Sequence, residues 1–151
     1  CLLANLTQMI RDKGVKPFGY QILLYPITGT DFETPSYKRF GSGYIMSKKK
    51  LNWYISQYLG SLESRKDLYA FPMNMEDLSN LPKTLILTAE FDPLCDDGAK
   101  YAQRLKAAGN VCEYISLSGM IHGFIKFSSV KRAQEAFDLL CKRILNFSTP
   151  R

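Results

Sequence analysis

Residues 81–98 read LPKTLILTAEFDPLCDDG, and the change of rhythm inside that stretch decides the fold. "KTLILTAE", 83–90, is a short apolar run after Pro82, the pattern of a strand buried on both faces. From Asp96 the period becomes helical. Tyr101, Ala102, Leu105 and Ala108 share one face, and Gly109 ends the run. A strand that feeds directly into a helix is the building unit of open parallel sheets.

The same alternation extends in both directions. Residues 1–13 predict a helix with Leu2, Leu3, Leu6, Met9 and Ile10 on one face and Gly14 as its stop. "GYQILLYP", 19–26, predicts a buried strand closed by Pro26. Residues 27–46 are turn-rich, and Ser47 can cap a helix over 48–59. Residues 60–82 are again irregular, so the segment 27–82 carries one helix between the first two strands. "CEYISLSG", 112–119, predicts a third strand, "GMIHGF", 119–124, a loop, and 128–146 a closing helix through Val130, Ala133, Phe137, Leu140, Ile144 and Leu145. This order implies an α/β fold, parallel strands with flanking helices and right-handed crossovers, in one domain over 1–151. Parallel strands this apolar require neighbours, so about half a sheet is unaccounted for.

The composition narrows the class. With 46% hydrophobic and 23% charged residues, the chain can build a core and stay soluble. No apolar run approaches the roughly 18 residues of a membrane span. The first residues lack the basic region and cleavage site of a signal peptide, and they begin without methionine in helix-like sequence. The chain therefore reads as a piece of something longer. Cys1, Cys95, Cys112 and Cys141 form no CxxC pair, which points to reduced thiols in a cytoplasmic protein rather than to zinc or disulfides. The net charge of +6 is dispersed apart from "SKKK" at 47–50, so no nucleic-acid partner is expected.

In open parallel sheets, reacting groups gather beyond the carboxyl ends of the strands. Two loops there carry suitable side chains: Asp92 after the strand 83–90, and His122, the chain's one histidine, after the strand 112–117. Asp96 and Asp97 stand at a helix start, where carboxylates accept free backbone N–H groups and suit the dipole. No second cluster of ligands accompanies them, so no metal is expected. Pro93 biases Asp92 to extended backbone, beside the strand end, as a reacting acid or an outer cap. His122 lies between Ile121 and Gly123 in a loop, where function outweighs packing. An acid that fixes an imidazole tautomer, and a histidine that relays a proton, are two parts of a serine hydrolase in the chain order Ser, Asp, His.

"LILTAEFDPLCDDGAKYAQRLKAAG", followed by "SGMIHGF", resembles the C-terminal part of the hormone-sensitive-lipase-like α/β-hydrolases, a group of carboxylesterases and lipases. "LLYPITGTDFETPSY" is similar to the strand and loop after the family's nucleophile-bearing helix, and "CLLANLTQMIRDKG" to that helix itself. The resemblance covers essentially the whole chain. It implies that Asp92 is the catalytic acid and His122 the catalytic histidine, with no cofactor. Cys95 stands where arginine is common. The family's GDSAGG-like elbow and HGGG-like loop are absent, and neither "FGSGY" around Ser42 nor Ser118 replaces the elbow.

The expectation is thus the C-terminal half of an α/β-hydrolase fold, inactive alone. The full-length protein would be a carboxylic ester hydrolase whose serine lies upstream. Its substrate would be a small hydrophobic ester, with Ile121, Phe124, Trp53 and Tyr44 as pocket residues. The exposed half-sheet invites association with a second copy. The rival reading is a non-catalytic small-molecule receptor on the same scaffold, and the residue at the serine position would decide. A nucleotide binder would need a GxGxxG or Walker loop, and the chain has neither.

Overall fold

A computed structural model describes residues 2–15, 18–60 and 63–148. The elements in chain order are α1 (Leu2–Asp12), β1 (Tyr20–Leu24), α2 (Pro35–Phe40), α3 (Lys48–Leu59), β2 (Lys83–Phe91), α4 (Cys95–Ala107), β3 (Cys112–Ile121) and α5 (Lys131–Ser148). Short 3-10 turns occupy Glu63–Lys66, Pro72–Asn74 and Phe124–Lys126. The three strands form one parallel sheet in the order β1-β2-β3.

Both faces of the sheet are covered, as its apolar strands require. The two-residue period of a strand divides β2 between them. Ile86 points with Leu23 towards α1 and α4, where Ala4, Tyr101, Ala102 and Leu105 complete a core. Leu85, Leu87 and Ala89 point towards α5, against Ala133, Leu140 and Phe147. α4 comes unusually close to the strand at Gly98, where a Cβ would lie 2.5 Å from Thr88 Cγ2.

Four expectations are corrected. The segment between β1 and β2 carries two α-helices, not one. The additional helix, α2, starts with Pro35 behind the N-cap Thr34, whose hydroxyl accepts the Tyr37 N–H at 3.5 Å. β3 continues through Gly119 to Ile121, which shortens the expected loop. α1 has the expected extent over its described residues (Cys1 lies outside them) but buries its other face. Asn5 and Gln8 are buried because their amides donate to the carbonyls of Ala70 and Pro72, while Leu2 is 67% exposed. α5 likewise buries Ala133, Leu140 and Phe147 but leaves Phe137 and Leu145 exposed, because the sheet meets only one narrow side of the helix.

Candidate active site

The site forms where β2 and β3 end side by side. Phe91 pairs with Ile121, so Asp92 and His122 are the next residues out from neighbouring strands. The Asp92 side chain has no exposed surface, whereas His122 keeps 20% of its own. His122 Nδ1 lies 2.7 Å from Asp92 Oδ2. A carboxylate only accepts, so the geometry puts the imidazole proton on Nδ1 and leaves Nε2 as the basic nitrogen. The other carboxylate oxygen, Oδ1, accepts the Leu94 N–H at 3.0 Å, and the Asp92 carbonyl accepts the Cys95 N–H at 3.1 Å. Asp92 is therefore both the partner of His122 and the pivot of the turn into α4.

Tyr25 supplies a wall for the imidazole. Its ring centroid is 4.8 Å from that of His122, and its edge-on contact with Phe124 is 5.6 Å between centroids. The backbone there is strained: Tyr25 has φ +41°, a region that disfavours a bulky residue, and its N–H donates to Leu87 O at 2.8 Å. Burial pushes the Tyr25 hydroxyl up to about 12, opposed in part by the Ile125 backbone.

A cleft of about 310 Å³ opens beside His122, lined by Leu24, Tyr25, Ile27, Met46, Tyr54 and Leu94 among others. None of the four expected pocket residues lines it. Trp53 stands on the outer side of α3, 58% exposed and edge-on to Tyr54, the aromatic that does reach the cleft. Tyr44 stacks on Phe91, Phe124 is core beneath Tyr25, and Ile121 is the half-buried last residue of β3.

Asp96 and Asp97 do not cap their own helix, whose N-cap residue, Leu94, makes no side-chain cap bond. Asp96 Oδ2 accepts the Ser36 N–H at 2.9 Å, in the first turn of α2. Asp97 Oδ2 accepts the Thr28 N–H at 3.2 Å. Burial drives the Asp97 carboxyl up to about 7, with the N–H groups of Thr28 and Gly29 pulling the other way. Ser36 adds a bond from its hydroxyl to Pro93 O at 2.6 Å, so the chain at 28–36 is fastened over the Asp92 turn. The dipeptide Thr34-Pro35 was the local signal for this brace. Among the described residues, no group of three or more His, Cys, Asp or Glu could hold a metal ion. Cys95, Cys112 and Cys141 are free thiols, and burial raises Cys112 to about 11; Cys1 lies outside the described residues.

The family model described as alpha/beta hydrolase fold matches residues 1–126. The chain belongs to this family. Its relatives fall in the hormone-sensitive-lipase-like group that the motifs resemble. This α/β-hydrolase chain is 34% identical to the ethyl acetate hydrolase of Pseudomonas putida, over 85% of its own length and 40% of the relative's. It is 36% identical to the carboxylesterase NlhH of Mycobacterium tuberculosis, over 84% and 41% respectively. Among solved structures, it superposes with a TM-score of 0.87 on the esterase of Pyrobaculum calidifontis, at 32% identity, covering 97% of this chain and 49% of that one. The thermostable carboxylesterase EstE1, cloned from a metagenomic library, gives 0.87 at 34% identity, covering 97% and 51%. The chain thus spans about half the length of these structures or less. Among the described residues, no helix is long and apolar enough to cross a membrane.

Proposed function

We propose that the chain supplies the acid and the base of a serine carboxylic ester hydrolase, whose nucleophile stands on an elbow N-terminal to α1. The 2.7 Å bond between His122 Nδ1 and Asp92 Oδ2 carries this reading, since it gives the imidazole one tautomer and one orientation. Asp92 holds the Nδ1 proton. His122 Nε2 takes the proton of the serine hydroxyl as its oxygen attacks the ester carbonyl. The same proton then passes to the departing alcohol, leaving an acyl-serine. Water, deprotonated by the same nitrogen, releases the acid and restores the serine. Because no Gly-x-Ser-x-Gly elbow occurs in these 151 residues, they are not expected to turn over esters alone.

The substrate class follows from the cleft and from the relatives. The lining beside His122 is mostly aliphatic and aromatic, which favours a small hydrophobic ester. Relatives are named for ethyl acetate and for aryl esters. The test is His122→Ala in the intact protein, assayed on p-nitrophenyl esters of graded length. Turnover is expected to fall by about a thousandfold or more. A variant that kept activity within about tenfold of wild type would remove His122 from the mechanism.

A further inference from the structure

We propose that Glu90 is the positioning residue that holds β3 in the register where His122 meets Asp92; for catalysis, this rests on the hydrolase reading above. β2 and β3 pair with a constant offset from Thr84↔Cys112 to Ala89↔Leu117. The next pair is Phe91↔Ile121, so Glu90 alone faces the three residues Ser118, Gly119 and Met120. Continued without that excursion, the pairing would set Met120 opposite Asp92 and carry His122 past it. The two additional residues on β3 are what bring the imidazole to the acid.

The hydrophobic pattern is a weak guard of that choice. A slip of one residue would turn every β3 side chain to the wrong face, but a slip of two preserves the faces. The excursion needs its own anchor, and Glu90 is bonded to it directly. Glu90 Oε2 accepts the Gly119 N–H at 2.7 Å and the Ser118 hydroxyl at 2.9 Å. These two donors hold the Glu90 carboxyl below its usual range, with Arg132 and Arg39 adding to the effect. Gly119 takes the left-handed conformation the excursion requires, φ +73°, and a Cβ there would lie 2.8 Å from Arg132 Nε. The competing anchor is Met120, buried in the core under α5. If Met120 alone sufficed, Glu90 would be an ordinary solvated carboxylate.

The experiment compares Glu90→Ala, Glu90→Gln and Ser118→Ala in the intact protein. Turnover is read with the imidazole nitrogen spectrum of His122, assigned by its loss in His122→Ala. Glutamine keeps an oxygen that can accept both bonds, and alanine keeps none. Glu90→Ala is expected to lower kcat by about tenfold to a hundredfold with KM nearly unchanged, the scale of a small misplacement of a reacting group. It should also mix the His122 tautomers. Glu90→Gln should restore both readouts, and Ser118→Ala should shift them partway. Glu90→Ala with a wild-type imidazole spectrum and turnover within about threefold overturns the proposal. If Glu90→Ala fails to fold, an unchanged spectrum in Ser118→Ala overturns it, and a partial shift there supports it. The hydrolase reading fails separately: if His122→Ala stays active while Glu90→Ala still mixes the tautomers, His122 is not the base but Glu90 does place it.

Discussion

Asp97 and Thr28 hold each other twice. The Thr28 N–H donates to the Asp97 carboxylate at 3.2 Å, and the Thr28 hydroxyl donates to the Asp97 carbonyl at 3.0 Å. The pair ties the first turn of α4 to the chain leaving β1.

The burial of Asp97 makes stability depend on pH. The Asp97 carboxyl titrates at about 7 in the fold because burial disfavours its charge, against about 3.9 in an unfolded chain. Between those values the native state holds a proton that the unfolded state has lost. Its contribution is therefore complete below about pH 4 and is lost as pH rises through about 7. Denaturant midpoints measured from pH 4 to 8 should show this decline, on the order of a few kcal/mol, and Asp97→Asn should flatten it.

Gly98→Ala should destabilise the protein although alanine favours helices. The new methyl would stand 2.5 Å from Thr88 Cγ2 and 3.3 Å from Ile86 Cγ2, atoms of the strand beneath α4. Overpacking of this kind costs about 1–3 kcal/mol, against a propensity gain of at most about 1 kcal/mol. Equilibrium urea unfolding should show a net loss near 1–2 kcal/mol. An unchanged midpoint would mean that α4 can lift off β2 freely.

Ser36→Ala removes the hydroxyl that donates to Pro93 O at 2.6 Å and leaves that carbonyl without its partner. A loss of about 1–2 kcal/mol is expected in the same unfolding assay. Ser36→Thr, which retains a hydroxyl, should recover part of it.

Asp92→Asn keeps the size of the side chain but can present an N–H to the imidazole. The Nδ1 proton then loses its acceptor, and the other tautomer becomes competitive. In the intact protein kcat should fall by roughly ten-thousandfold with little change in KM. Imidazole nitrogen shifts would report the exchanged tautomer directly.

Much of this is legible in the sequence where the determinants are local. The run 83–90 and the helical face through Tyr101 and Leu105 announce β2 and α4, and both are buried accordingly. The approach of Asp92 to His122 is legible from the one helix and one strand lying between them. Determinants made by distant partners are not. The buried side of α1 is chosen by carbonyls at 70 and 72, so its apolar periodicity points to the wrong face. Asp96 and Asp97 look like helix caps until the chain at 28–36 folds back onto them. The excursion at Ser118–Met120 breaks the alternation only locally, with Leu117 and Met120 three residues apart in one core, and the new offset beyond it is visible only in the pairing with β2. Trp53 and Tyr54 are adjacent aromatics on one helix, and only the packing of α3 through Leu51 and Ile55 decides which one reaches the cleft.

The burial of Asp92 has a further consequence for the behaviour of its partnership in salt. Lys48–Glu33 and Lys100–Asp31 stand largely in solvent, where counter-ions replace either member at little loss. The Asp92 carboxylate offers counter-ions no surface to condense on. Brine that loosens the outer ion pairs should leave Asp92 and His122 together, so the pair is insulated from the ionic strength around it.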